Sequence, residues 1–335
     1  MYNITIEGGA SFACAPDDTL MRAALRAGLG LAYECNTGAC GACKVEMVSG
    51  EVVSNRADAP AISDRDRAKN RVLGCQSRPL GDCTIKAKLR PECVPAHRPQ
   101  RFDAALSSVE NITHDLREFR FTGATPAQFL PGQYALLTVP GVQGARAYSM
   151  SNIGHDNEWH FQIKQVPGGK GSAQLFDHTP IGTRITIDGP YGMAYLRPES
   201  PRDVICIGGG SGLAPLISIA RGMAADATLA DRQLYFFYGA RGPADVCGES
   251  MLAALPGYGK RIHFHAAISM PELDTEKTWQ GKVGFIHEIV RVHFGESLPQ
   301  FEYYFAGPPV MAQAVNMMLV KAKVPMSQVH YDSFY

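Results

Sequence analysis

Tyr33-Glu34-Cys35-Asn36-Thr37-Gly38-Ala39-Cys40-Gly41-Ala42-Cys43 places three cysteines in nine residues, and a fourth, Cys75, follows in a distant segment. Three thiolates from one tight loop converge on a metal centre only if the backbone turns sharply. Gly38 and Gly41 permit such turns and leave N–H groups free to point at sulfur. Cys75 closes the cage. A structural zinc site is the alternative reading, but zinc sites usually carry two C-x-x-C half-sites, and only Cys40 and Cys43 are so paired. Cys14, Cys83, Cys93, Cys206 and Cys247 show no ligand spacing and read as small buried or incidental thiols.

The C-x4-C-x2-C…C pattern resembles that of plant-type 2Fe-2S ferredoxins. The resemblance implies a 2Fe-2S cluster held by Cys35, Cys40, Cys43 and Cys75, a β-grasp ferredoxin domain around it, and electron transfer as the activity. The preceding residues fit: an alternating N-terminal strand, then a helix capped by Asp17 or Asp18, with Leu20, Ala24 and Leu25 on one face and Gly28 at its end.

At 335 residues the chain exceeds one compact core and suits two or three domains. Lysine plus arginine balance aspartate plus glutamate at 32 each, which leaves no electrostatic footprint for nucleic acid. The N-terminus has neither the basic nor the apolar region of a secretory signal, and thiols that ligate iron fit a reducing compartment. The apolar stretch from Val204 to Ala220 is broken by glycines and Pro215, so no membrane span is expected. A cytoplasmic protein follows.

Residues 91–100 contain Pro91, Pro95 and Pro99 and read as a stiff, extended linker after a first domain at 1–90. From 101 to 199, short strands around Leu116–Phe121, Tyr134–Val139, Trp159–Ile163 and Arg184–Ile187, separated by Gly/Pro turns, suggest a small antiparallel β-barrel. From 200 to 335 strands alternate with helices, which implies a doubly wound parallel α/β sheet.

Within the barrel, Arg146-Ala147-Tyr148-Ser149 resembles the Arg-x-Tyr-Ser flavin motif of the ferredoxin–NADP reductase superfamily. It is followed by the glycine loop Val166-Pro167-Gly168-Gly169-Lys170-Gly171-Ser172, which opens a short helix and so offers an anion site for the FAD pyrophosphate at Gly169, Gly171 and Ser172. The resemblance assigns Arg146 to phosphate, Tyr148 to the ribityl and ring system, and Ser149 to the flavin N5. Gly208-Gly209-Gly210-Ser211-Gly212-Leu213-Ala214-Pro215 follows an apolar strand and precedes a helix. It matches the Gly-Gly-x-Gly-x-x-Pro pattern of the superfamily's nicotinamide domain. Tyr238-Gly239-Ala240-Arg241 resembles the segment bordering the adenosine ribose. Ala306-Gly307-Pro308-Pro309 resembles the Cys-Gly-Pro-Pro segment beside the nicotinamide, with Ala306 in place of cysteine, so a thiol role there is in doubt. The family covers the flavin face with an aromatic near the chain end, which points to Phe334 first and Tyr335 second. His263 and His265 share a strand face without a third ligand and read as partly buried strand residues.

The order of ferredoxin, flavin and nicotinamide domains resembles the reductase components of bacterial multicomponent aromatic-ring oxygenases. Tyr33-Glu34-Cys35-Asn36, Phe129-Leu130-Pro131-Gly132-Gln133-Tyr134, Arg146–Ser149 and the ending Asp332-Ser333-Phe334-Tyr335 look most like the reductases of carbazole dioxygenase and of toluene or xylene monooxygenases. This implies a monomeric oxidoreductase of aromatic-hydrocarbon catabolism, passing electrons from NADH through FAD and the cluster to a ferredoxin or a terminal oxygenase, Rieske or diiron. NADH is favoured over NADPH because only Arg241 is placed to meet a 2′-phosphate. Arg65, Arg67, Lys69, Arg71 and Arg78 are candidates for steering an acidic acceptor, with a solvated loop as the alternative. Two other functions fit: a reductase of the same architecture for a non-oxygenase acceptor of the deoxysugar dehydratase type, and a redox-sensing flavin and iron–sulfur protein that does not turn over.

Overall fold

The computed structural model describes residues 1–333 apart from 125, 155 and 156, and the backbone alone at 332 and 333. Its chain divides into two compact units. The first is Met1–Arg101 together with Asp188–Tyr191, and the second is Phe102–Ile187 together with the residues from Gly192 onward.

The first unit carries a five-stranded mixed sheet whose order is Ser11–Cys14, Tyr2–Ile6, Cys83–Lys86, Lys44–Ser49, Arg71–Leu73. Tyr2–Ile6 and Cys83–Lys86 run parallel, while the hairpin partners run antiparallel. Ile4, Ile6, Val45 and Ile85 are buried and alternate with outward residues, the period of a sheet with one face covered. The cover is the helix Leu20–Arg26, which buries Leu20, Met21, Ala23, Ala24 and Leu25. Thr19, not Asp17 or Asp18, is its N-cap: the Thr19 hydroxyl accepts from Arg22 N at 3.4 Å. The Asp18 carboxylate is engaged elsewhere, accepting Thr19 N and Arg26 Nε at 2.8 Å each. Gly28 ends the helix at φ +82°. The proline-rich stretch departs from an extended strand. Pro91–Cys93 forms a 3-10 turn, Cys93 is buried, and Arg90 N donates to Gly30 O at 2.8 Å, so the segment is packed on its own unit.

The second unit opens with a six-stranded sheet in the order Arg146–Ser149, Tyr134–Thr138, Arg184–Tyr191, Gln100–Asn111, Leu116–Gly123, Glu158–Lys164. Its two edges meet through the bridge Met150–Phe161 and the bond Ser151 N to His160 O at 2.8 Å, which curls the sheet into a near-barrel around Phe119, Phe121, Leu137, Trp159 and Ile187. The first long strand, Gln100–Asn111, is mostly polar and was not among the sequence-derived strands.

The rest of the unit is a parallel sheet ordered Lys282–Val283, Ile262–Ile268, Leu234–Ala240, Val204–Gly209, Glu302–Gly307, Val329–Ser333. The central strands Leu234–Ala240, Val204–Gly209 and Glu302–Gly307 are buried on both faces. Cys206, Phe236 and Tyr304 pack with the helix Leu213–Ala225 on one side, whereas Ile205, Ile207, Phe237 and Phe305 pack with the helices Ile286–Phe294 and Pro309–Lys321 on the other. Each buried phenylalanine contributes about 2–3 kcal/mol of transfer free energy. Val329–Ser333 adds a sixth strand where the sequence reading placed only an aromatic tail. It sets Ser333 opposite Gly307.

Candidate cofactor and nucleotide sites

The loop between the helix Leu20–Arg26 and the strand Lys44–Ser49 puts Cys35 and Cys40 part-exposed and Cys43 buried, and Cys75 is buried just after Arg71–Leu73. Asn36, Gly38 and Gly41 have φ of 55°, 84° and 77°. A Cβ on Gly38 would meet Ala59 Cβ at 3.2 Å and Gln76 Cγ at 3.1 Å, so backbone shape and lack of space both favour glycine there. Backbone N–H groups of Thr37 and Cys40 point at Cys35 Sγ at 3.5 and 3.3 Å, and Ala42 N at Cys40 Sγ at 3.5 Å. The Gln76 amide adds a donor to Cys75 Sγ at 3.4 Å while holding Asn36 O at 3.2 Å, a contribution that the cysteine spacing gave no hint of.

The four sulfurs form two pairs. The Cys40 thiol donates to Cys35 and the Cys43 thiol to Cys75, which holds Cys35 and Cys75 below the usual thiol range against the opposing effect of burial. Their partners, as proton holders, are pushed up. Around one zinc, bonds of about 2.3 Å set the sulfurs about 3.8 Å apart. Among the described residues, three ligand atoms all within 4.8 Å of one another occur at His114, Asp115 and Asp245, not at the cysteines. The sulfurs are therefore set wider than one zinc requires, which suits two irons better than one zinc.

In the near-barrel, Arg146 and Tyr148 lie beside the glycine loop as the motif order implies: a Cβ on Gly171 would meet Arg146 Cγ and Tyr148 Oη at 3.4 Å each. Gly169 is the N-cap of the helix Lys170–Asp177, with no side chain on its first N–H groups. Ser172 serves the loop itself, its hydroxyl accepting from Val166 N at 3.0 Å and donating to Gly169 O at 3.1 Å. The exposed Arg146 guanidinium rests on the carbonyls of Gln143, Gly144 and Ala145 at 3.2–3.3 Å. Burial pushes the Tyr148 hydroxyl up. The Ser149 hydroxyl is buried and, among the described residues, has no hydrogen-bond partner. An unpartnered buried hydroxyl at this strand end, beside uncapped N–H groups and an arginine, fits a bound flavin nucleotide.

The third motif lines a cavity of about 530 Å³ with Gly209, Gly210, Arg241 and Pro308 among its walls. Gly208 lies in the strand, and Gly212 packs so tightly on the Ala306 carbonyl that a Cβ has no room. Gly210 has φ +57°, and its carbonyl accepts the Tyr238 hydroxyl at 3.1 Å. Gly307 lies against the same loop, near Gly209. Phe334 and Tyr335 lie outside the described residues.

Arg241 differs from expectation in one respect: its charge is already engaged. Nε and Nη2 donate to Asp245 at 2.6 and 2.9 Å, and Nη2 also reaches Asp115 at 3.2 Å. Lys164 Nζ sits 2.7 Å from Asp115. Burial alone would raise both carboxyl pKa values, but the Lys164 and Arg241 charges hold them below the usual range. Asp115, Asp245 and Lys164 carry no motif, and no sequence signal singled them out. His263 and His265 stack on Tyr235 and Phe237 at 5.1 and 4.7 Å, and burial holds His265 down at about 4.

A thiol-lined loop, a flavin-shaped barrel edge and a nucleotide cavity together define an iron–sulfur flavoprotein of the nicotinamide-dependent oxidoreductase class. Family models agree in chain order: a 2Fe-2S iron-sulfur cluster binding domain matches residues 4–80, an oxidoreductase FAD-binding domain 103–195, and an oxidoreductase NAD-binding domain 206–317. The chain is 39% identical to the ferredoxin–NAD(P)+ reductase CarAd of Metapseudomonas resinovorans, over 100% of both chains. It is 34% identical to the ferredoxin–NAD+ reductase component of the alkene monooxygenase system of Xanthobacter autotrophicus, over 98% of this chain and 99% of that one. A solved ferredoxin reductase in carbazole 1,9a-dioxygenase superposes with a TM-score of 0.91 at 38% identity, covering 100% of this chain and 98% of that one. The chain belongs to the family of ferredoxin–NAD(P)+ reductases that serve as reductase components of oxygenase systems. It is an oxidoreductase that uses 2Fe-2S, FAD and a nicotinamide nucleotide, and no helix among the described residues is long and apolar enough to cross a membrane.

Proposed function

We propose that the protein oxidises NADH and delivers the electrons, one at a time, to a ferredoxin or terminal oxygenase component of an aromatic-compound oxygenase system, acting as a cytoplasmic monomer. Bound FAD would supply the conversion of a two-electron donor into one-electron steps, and a 2Fe-2S cluster would supply single-electron transfer to the acceptor. The observation that carries the reading is the buried Ser149 hydroxyl without a partner, on the strand whose Arg146 and Tyr148 adjoin Gly171.

Arg146 would hold the FAD phosphates in place of its loop carbonyls, a stronger, charge-assisted partner, and the N–H groups at Gly169–Gly171 would share that charge. Tyr148 packs along the flavin, and Ser149 offers its proton to the flavin N5 edge. Cys35, Cys40, Cys43 and Cys75 would together hold the 2Fe-2S cluster. Gly208–Gly212 let the nucleotide pyrophosphate approach the backbone, Gly307 and Pro308 border the nicotinamide, and Phe334 or Tyr335 shields the flavin until the nicotinamide arrives. Asp115 and Asp245 beside Arg241 favour NADH, whose ribose lacks a phosphate. The full-length likeness to the carbazole 1,9a-dioxygenase reductase favours an aromatic substrate system.

An anaerobic titration of the purified protein with NADH, followed by visible and electron paramagnetic resonance spectra, tests this. Flavin bleaching with the rhombic signal of a reduced 2Fe-2S centre is the expected result. A chromophore that stays oxidised with both NADH and NADPH would overturn it and favour a sensing role.

A further inference from the structure

We infer that Asp115, on the turn between Gln100–Asn111 and Leu116–Gly123, sets the coenzyme preference from the barrel side by holding both cations at the nucleotide cavity. This rests on NADH being the donor. Lys164, Arg241 and Asp245 line the cavity, as do Thr113 and Leu116 on either side of Asp115 in the chain. One carboxylate oxygen, Oδ2, lies 2.7 Å from Lys164 Nζ and 3.2 Å from Arg241 Nη2. The other, Oδ1, accepts the Thr113 hydroxyl at 3.1 Å. Asp115 therefore faces Lys164, Arg241, Thr113 and, at 3.6 Å, the exposed His114 ring.

The charges close locally. Two cations, Lys164 and Arg241, meet two carboxylates, Asp115 and Asp245, with the His114 and His287 rings as further titratable groups nearby, and among the described residues of the cavity a 2′-phosphate bringing nearly two further negative charges finds no lysine or arginine without a carboxylate partner. The Asp115 side chain is only 18% exposed, so its hold on Lys164 is less screened than a surface pair. Asp245 hydrogen-bonds Arg241 and feels Lys164 only at longer range, whereas Asp115 lies within ion-pair distance of both cations. It does so from the barrel, while Arg241 and Asp245 belong to the nucleotide domain. Discrimination against a 2′-phosphate is thus shared between two domains, and exchange of the nucleotide domain alone would leave the Asp115 restraint on Lys164 in place.

Asp115 acts through Lys164 and Arg241 and is a positioning residue. The test compares the FAD-loaded full chain with its Asp115→Asn and Thr113→Ala variants. Calorimetry gives the affinities of the oxidised proteins for adenosine 2′,5′-bisphosphate and for AMP, and steady-state kinetics give kcat/KM for NADPH and NADH. Asp115→Asn should move both ratios about tenfold toward the 2′-phosphorylated ligand. Thr113→Ala, which removes the hydroxyl on Asp115 Oδ1 but no charge, should move the ratios much less than Asp115→Asn does. Ratios unchanged in Asp115→Asn, or an equal shift in Thr113→Ala, would overturn the inference. Should the wild type fail to oxidise NADH, the donor reading fails while the bisphosphate comparison still decides the role of Asp115.

Discussion

The cluster loop and the mouth of the nucleotide cavity are both built to place charge, yet they are assembled in opposite ways. Three of the four cluster cysteines come from one nine-residue stretch, and the backbone N–H groups aimed at sulfur belong to that same stretch. The cavity mouth draws Asp115 and Lys164 from the near-barrel and Arg241 and Asp245 from the nucleotide domain, residues up to 130 positions apart. A site whose ligands are local announces itself by spacing. One whose charges are gathered across domains has no spacing to read.

Removing a local ligand should have the largest effect. Cys40→Ser should abolish the cluster's visible and paramagnetic signatures and lower reduction of the acceptor by about a hundredfold or more, while NADH-driven reduction of ferricyanide by the flavin persists. Retention of both signals would show that the loop tolerates three thiolates. Arg146→Ala should weaken FAD retention by about ten- to a hundredfold, read from flavin released on dilution, since one charge-assisted phosphate contact is lost. Among the described residues its exposed guanidinium bonds to loop carbonyls, so thermal stability of the apoprotein should hardly change.

Packing on the nucleotide side gives a smaller effect. Gly212→Ala places a methyl against the Ala306 carbonyl, and a loss of about 1–3 kcal/mol is expected in denaturant unfolding. Docking should be weaker still: Arg65, within the first unit's short helix Asp64–Arg67, and Lys69, just after it, are exposed. Changing both to glutamate should slow electron delivery a few-fold at low salt and little at high salt, and equal rates at both would remove the steering role.

The least effect concerns pH. Burial opposes ionisation of Glu118, but donation from Gln162 together with the charges of His160 and Arg120 outweighs it and leaves the carboxyl below its usual value. A lowered folded value stabilises above the unfolded pKa and is lost as pH falls through the folded one. Stability should therefore decline below about pH 4.3, and Glu118→Gln should flatten that acid limb by roughly 1 kcal/mol. An unchanged acid limb would show that other carboxylates carry it.

Several elements were legible because their determinants are local in sequence. Cysteine spacing, the Arg146–Ser149 motif and the glycine loops each need particular residue types at fixed offsets, since a thiolate cage, a strand end and a close approach to phosphate leave few alternatives. The apolar strands of the parallel sheet showed through because burial on both faces demands unbroken hydrophobic runs. Gln100–Asn111 escaped notice because one of its faces is polar, and Val329–Ser333 because its aromatic, polar composition resembles a tail until Glu302–Gly307 offers it an edge. The helix cap moved to Thr19 because Arg26 and the Thr19 N–H take the Asp18 carboxylate.

The amino-acid order alone determined the spacing of the proposed cluster cysteines, the succession of three cofactor domains and the glycine positions, since each follows from short-range stereochemistry. Tertiary structure alone decided which charges meet: that Gln76 reaches Cys75, that Arg241 is held by Asp245, and that Asp115 bridges Lys164 and Arg241. Electrostatic energy depends on distances of a few ångströms through space, and residues far apart along the chain acquire those distances only when the strands that carry them are packed together.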